Sequence, residues 1–262
     1  MLPLTGSQTP NSPETLTEAL KGGLAARGLP AREVTAQGAW PALDLLRLDL
    51  TGAQISKSQL SGSIGEKRTG GFTAARFELV ASPGELASTP IDVSLRATDA
   101  AFDFASGREG ESVVLIRRAA HGEVTVKIAR ADLERLIHSL ASAAAGQHGA
   151  EIKDVKVSLV SRGPRAVSVD ADVTAKMFIA TTTVRLGGDI DLDDQLNARL
   201  SNLRFSGDGM VANLAGGFIR PQIAKLEGRT FPLLNFALGE ITLRDVQLEA
   251  GETLRLSAQF GS

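Results

Sequence analysis

Apolar residues recur at every second position in one segment of this chain after another. Leu46, Leu48 and Leu50 alternate with Arg47, Asp49 and Thr51. Ile91, Val93, Leu95 and Ala97 alternate with Asp92, Ser94, Arg96 and Thr98, and Val124, Val126 and Ile128 with Glu123, Thr125 and Lys127. Successive side chains of a strand point to opposite faces, so this is the pattern of strands with one dry and one wet face. Antiparallel sheets are where such strands belong. The spacing predicts an antiparallel sheet from about Arg32 to Ile128, with the Ser-, Gly- and Lys-rich stretch Gly52 to Gly71 as a loop or a frayed pair of edge strands. The same period returns at Val155, Val157 and Leu159 and at Val167, Val169, Ala171 and Val173, joined through Arg162-Gly163-Pro164. Further strands are expected over Met177 to Leu186, Leu196 to Phe205, Ile241 to Leu248 and Leu254 to Phe260.

Three stretches change to the helical period. Ser12-Pro13-Glu14 supplies a hydroxyl cap, a proline at the first helical position and an acid in the first turn. Leu16, Leu20 and Leu24 follow, until Gly28 and Pro30 end the run. Gly22-Gly23 makes this helix marginal without something to pack on. A second helix places Leu133, Leu136, Ile137, Leu140, Ala141 and Ala144 on one side, with Glu134, His138 and Ser142 opposite. The third, Met210 to Glu227, carries Val211, Leu214, Ala215, Phe218, Ile219, Ile223 and Leu226 around much of its circumference, with Pro221 expected to kink it. A short echo between Glu151–Val157 and Glu240–Val246, each after a helix, suggests two similar lobes.

Composition narrows the function. A chain of 262 residues allows one large domain or two modest ones. Its 28 Lys and Arg against 30 Asp and Glu give no electrostatic case for nucleic acid. The absence of cysteine excludes disulfides, thiolate metal sites and a thiol nucleophile. No segment has the ~18 consecutive apolar residues of a membrane-spanning helix. Met1 to Pro13 has neither the basic nor the apolar region of a secretory signal, and residues 1–12 are expected to be a disordered tail.

Chemical motifs are weak. Gly207-Asp208-Gly209-Met210-Val211-Ala212 has the form of a dinucleotide fingerprint, but an alternating strand precedes it and Glu227 stands at a helix end. It reads better as a glycine turn with Asp208 capping the third helix. Asp189-Ile190-Asp191-Leu192-Asp193-Asp194 lacks the glycine and glutamate of a calcium loop and reads as a solvated acidic turn with only casual divalent binding. His121, His138 and His148 share no metal spacing, and Gly62-Ser63-Ile64-Gly65 is not a nucleophile elbow. No catalytic residue, metal or cofactor is expected.

The order Val124-Thr125-Val126-Lys127-Ile128, Asp132-Leu133 opening a helix, then hairpins, the helix holding Pro221, Phe231-Pro232-Leu233 and Ile241-Thr242-Leu243-Arg244-Asp245-Val246 resembles a known family. It is similar to the bacterial envelope lipid-binding domains of the tubular lipid-binding (TULIP) superfamily, the mannan-maturation lipoprotein family among them, over roughly Gly122 to Ser262. The resemblance implies an α+β fold, a long and highly curved antiparallel β-sheet wrapped around two or three amphipathic helices. One TULIP-like domain over 13–262 follows, with lobes at 13–121 and 122–262. The same resemblance implies a phospholipid, fatty acid or other amphiphile held in an apolar groove without catalysis, a cell-envelope location and peripheral membrane contact. The chain departs from the family in lacking the usual leader or lipobox.

The expected walls of that groove are Leu214, Phe218 and Ile219 on the third helix, Leu136 and Leu140 on the second, and Val124, Val126, Val169 and Val173 on strands. Two other readings stay open. One is a structural or scaffolding envelope module with a filled core, for which the same alternation would suffice. The other is a hydrolase acting on an envelope polymer, which needs converging carboxylates of raised pKa.

Overall fold

The computed structural model describes residues 1–6, 8–55, 64–86, 88–107, 111–146, 149–177, 180–193, 197–207, 216–217, 220–221, 223–232, 241 and 243–261. Contacts divide the chain into two compact units. One is Met1–Lys127 with Leu234–Asp245 and Ser257–Ser262; the other is Ile128–Leu233 with Val246–Leu256. The described residues form a β-rich α+β protein.

In the first unit a helix α1 (Pro13–Ala26) starts as its sequence requires. The Thr15 N–H donates to the Ser12 hydroxyl at 3.2 Å, and the Ser12 N–H donates back to the Thr15 hydroxyl at 3.1 Å. Leu16, Leu20 and Leu24 form its buried stripe, each contributing about 1.5–3 kcal/mol. The strands are β1 (Leu2–Pro3), β2 (Glu33–Ala39), β3 (Ala42–Asp49), β4 (Gln54–Ile55), β5 (Ile64–Leu86), β6 (Thr89–Gly107), β7 (Ser112–Arg118) and β8 (His121–Ala129). The sheet order is β14-β15-β8-β6-β5-β3-β2, where β14 (Leu243–Ala250) and β15 (Thr253–Phe260) contribute Leu243–Asp245 and Ser257–Phe260 to this unit. β7 joins β6 beside this path, β1 joins β7, and β4 joins β5.

Leu46 and Leu48 are fully buried, as their alternation demands. Trp40, Phe72, Phe77, Phe102 and Phe104 gather into one aromatic stack in this core, although the whole chain holds only ten Phe and one Trp. Phe72 and Phe102 face each other across β5 and β6 with ring centroids 4.7 Å apart, within the favourable range for stacked rings.

Three expectations are corrected here. The sheet is mixed: β3 runs parallel to β5, Ala42 opposite Thr73 through Asp49 opposite Val80, and β4 continues along β5 in the same sense. Alternation reports which face a residue occupies and leaves the direction of the neighbouring strand open. Gly52 to Gly71, expected as a loop or a frayed pair of edge strands, holds the short β4 at Gln54–Ile55 and, from Ile64 on, the start of β5, which runs between β3 and β6 and so is not an edge strand. Residues 1–6, expected in a disordered tail, are tied down. Leu2 pairs with Val114 and Pro3 with Val113, Leu4 is buried, and the Thr5 N–H donates to the Ala19 carbonyl at 2.9 Å.

In the second unit α2 (Arg130–Gly146) is followed by β9 (Ala150–Gly163), β10 (Ala166–Met177), β11 (Ala180–Leu192), β12 (Asn197–Gly207) and β13 (Thr230–Pro232). These strands form an antiparallel sheet of order β13-β12-β11-β10-β9. Of the expected third helix, residues 216–217, 220–221 and 223–226 are helical. Val211, Leu214, Ala215, Phe218 and Ile219 lie outside the described residues, as do Asp208 to Ala212 of the glycine string, His148, Asp194, Glu240, Thr242 and the Gly62-Ser63 pair.

Candidate functional site

The five-stranded sheet of the second unit has two chemically distinct faces, each following from its alternation. Val155, Val157 and Leu159 of β9, Ala171 and Val173 of β10 and Val184 of β11 are buried on the apolar face. Leu133, Ile137 and Ala141, spaced four apart on α2, pack against them. Val169, Leu186 and Phe205 share this apolar cluster but are only half-buried. Across the Phe205 ring lies the guanidinium of Arg220, 5.6 Å from its centroid.

The walls expected from sequence fall in different places. Val173 is buried and Val169 half-buried in this cluster. Leu136 is half-buried, while Leu140 is 63% exposed, because the stripe on α2 that packs is 133/137/141. Val124 and Val126 belong to the first unit, paired with Leu95 and Val93 of β6. There the buried side chain is Thr125, with both valines half-buried. Leu214, Phe218 and Ile219 lie outside the described residues.

Glu134, placed by periodicity on the polar side of its helix, instead reaches the sheet. Its Oε1 accepts the Val157 N–H at 2.9 Å. β9 ends the sheet order, so this carboxylate satisfies a donor at an edge that would otherwise invite another strand. Ordinary amphipathic counting cannot reveal the residue, since the bond depends on where the helix lands.

The opposite face of the sheet is a lattice of charges. Arg185 of β11 donates to both oxygens of Asp172, at 2.7 and 3.3 Å, and Arg204 of β12 to Asp170 at 3.2 Å. Asp189 is 6% exposed and accepts from the Ser168 hydroxyl at 2.6 Å and the Asn202 amide at 2.7 Å, with the Arg162 guanidinium 3.5 Å away. Arg162 also meets Asp191 at 2.8 Å. The solvated acidic turn expected over Asp189 to Asp194 is therefore corrected: Asp189 and Asp191 are strand residues with partners on β9, β10 and β12. The Ser168 and Asn202 hydrogen bonds hold the Asp189 carboxyl below its ordinary range, and Arg185 does the same for Asp172. Carboxylates stabilised as anions are poor proton donors, the reverse of what a general acid requires.

Glu227 follows the helical residues 223–226, and its two oxygens accept the Asn202 and Leu203 N–H groups at 3.0 and 2.9 Å. That bond locks the segment to β12 at a position where Asn202 has φ 50°. Among the described residues, no helix is long and apolar enough to cross a membrane, and no group of His, Asp and Glu stands close enough to hold a metal ion. Comparison with known proteins returns no matching family model, curated relative or solved structure.

Proposed function

We propose that the protein binds a phospholipid, fatty acid or similar elongated apolar chain along the apolar face of the second unit's sheet, without catalysis. One observation carries this reading. Val169, Leu186 and Phe205 on the sheet, and Leu133, Leu136 and Ile137 on α2, are apolar yet remain partly wet. Each methylene moved from water onto such a face is worth about 0.8 kcal/mol, so one long chain contributes several. Arg220, over the Phe205 ring at the same face, is a suitable partner for a carboxylate or phosphate head. The resemblance to TULIP envelope proteins supports the same ligand class, a wrapped sheet and a role in lipid transport or envelope maintenance. The aromatic filling of the first unit favours the second reading, a scaffolding module that binds no ligand.

An organic extract of the purified protein, read by mass spectrometry, tests the proposal together with titration of the delipidated protein by a fluorescent fatty acid. The expected result is a co-purifying amphiphile and saturable uptake, weakened in Leu136→Gln and Arg220→Gln. A clean extract with no uptake assigns the protein to the scaffolding reading instead.

A further inference from the structure

The first unit holds a cleft of about 450 Å³ at the level where both strands flanking β6 are irregular. In β5, Thr69 pairs with Phe104 and Gly71 with Asp103, so Gly70 is the extra residue, at φ 57°. In β7, Arg118 pairs with Ala101 and Ile116 with Phe102, so Arg117 is the extra residue. A bulge takes its extra residue out of the ladder and re-aims a side chain, and bulges are over-represented beside active sites. Gly70 and Arg117 both line the cleft, and so does Asp103 of β6, the strand between them.

An acceptor and a donor meet there. The Arg117 Nε lies 3.4 Å from Asp103 Oδ1. That is ion-pair range, wider than the ~2.8 Å of a committed charge-assisted hydrogen bond, so each group keeps capacity for another partner. Oδ1 also stands beside the cleft-lining Gly71, 3.1 Å from where a Cβ would be; a Cβ there would clash with the Phe102 carbonyl oxygen as well. The charges of Asp103 and Arg117 offset each other. The Arg68 guanidinium lies 3.6 Å from Asp103 Oδ2 and has a further partner, so its charge is not available to draw an anion in. The aromatic lining is spent too. Phe72 and Phe102 are 3% and 1% exposed and stack on each other, so a flat aromatic ligand finds no open ring face.

We propose that this cleft binds a neutral polyhydroxylated ligand, a sugar ring or a polyol, through two hydroxyls on adjacent carbons. A carboxylate only accepts hydrogen bonds and a guanidinium only donates them, whereas a hydroxyl does both. One hydroxyl of the pair donates to Asp103 Oδ1 while its neighbour accepts from Arg117. An anionic or cationic group suits one of these two residues and meets like charge at the other. The Thr73 hydroxyl belongs to the same lining, and the space falls within the ~300–1,000 Å³ of small-molecule sites. The site stands in the first unit, independently of any apolar chain bound in the second.

Saturation-transfer NMR on the full chain tests methyl glucoside and methyl galactoside, whose neighbouring hydroxyls include trans and cis pairs, with sorbitol as an open polyol. The expected result is saturable binding of at least one probe, indifferent to salt and undisturbed by glycerol phosphate, because no net charge is read. Arg117→Gln and Asp103→Asn each weaken it by about tenfold or more. Arg117 is 51% exposed, so its variant does so at unchanged melting temperature. Flotation with phosphatidylcholine vesicles carrying glucosyl- or galactosyl-diacylglycerol places the ligand on a lipid; probe binding without flotation places it in solution. The proposal is overturned if none of the three probes binds, if salt or glycerol phosphate abolishes binding, or if either variant binds like the wild type.

Discussion

The Cβ that an alanine would place at Gly23 lies 2.2 Å from the carbonyl oxygen of Pro3. The glycine that weakens α1 as an isolated helix is what lets the chain at residues 3–5 lie against it. Two effects of Gly23→Ala therefore oppose each other. Helix propensity gains about 1 kcal/mol. The clash is with backbone, which cannot swing aside, and it displaces the Thr5–Ala19 and Leu4–Ser112 hydrogen bonds and the burial of Leu4. The clash wins: overpacking costs about 1–3 kcal/mol before those losses are counted. Thermal unfolding should show a lower melting temperature for Gly23→Ala. Gly22→Ala, which meets only the Thr5 side chain, should be milder. A Gly23→Ala protein as stable as the wild type would refute this packing.

Replacing Glu134 by Ala leaves the Val157 N–H without its acceptor. The expected cost is about 1–3 kcal/mol, together with faster hydrogen exchange at the Val157 amide. Leu140→Ala, at an exposed position on the same helix, should change stability by less than about 0.5 kcal/mol. Denaturant titrations of the two variants give the comparison directly, and equal losses would contradict the placement of α2.

Acid should unfold the protein partly through Asp189. Hydrogen bonds from Ser168 and Asn202 depress its folded-state pKa below the ordinary aspartate value of 3.8. A depressed carboxylate adds stability that is complete above that ordinary value and drains away as pH falls through the folded one. Asp172, held by Arg185, adds to the same trend. Melting temperatures followed from neutral pH to below 3.8 should fall on the acid side, and Asp189→Asn should flatten the decline. A variant with an unaltered acid limb would assign the loss to other groups.

The aromatic stack should be the most sensitive part of the first unit. Phe102 is almost fully buried between Phe72 and Phe77. Phe102→Ala should cost about 3–5 kcal/mol in equilibrium unfolding. A loss below that range would mean that the surrounding rings collapse into the vacated space.

Much of this architecture was legible in the residues, and the remainder was hidden for definable reasons. Alternation located the buried faces at Leu46, Leu48, Val155 and Val157, and Ser12-Pro13 marked the start of α1, because each signal is local. Strand direction is not local, so the parallel approach of β3 to β5 left no trace in the sequence. At Val124 and Val126 the pattern misled, since Thr125 is the buried residue there. For the candidate sites, a Gly70-Gly71 pair inside a strand was a readable sign of a bulge. The meeting of Arg68, Asp103 and Arg117 depends on register, which spacing along the chain does not encode. Glu134 was hidden likewise, because its partner lies on an element that the helix meets only in the folded protein.

Phe260 is fully buried in a core whose other buried members, among the described residues, lie between Leu4 and Ala119. On the ribosome those residues emerge long before it does. That core must therefore wait for Phe260 while the whole of β9 to β13 is synthesised. The early product of translation carries an exposed greasy surface for that interval, which makes it a natural client for chaperones that shield nascent chains.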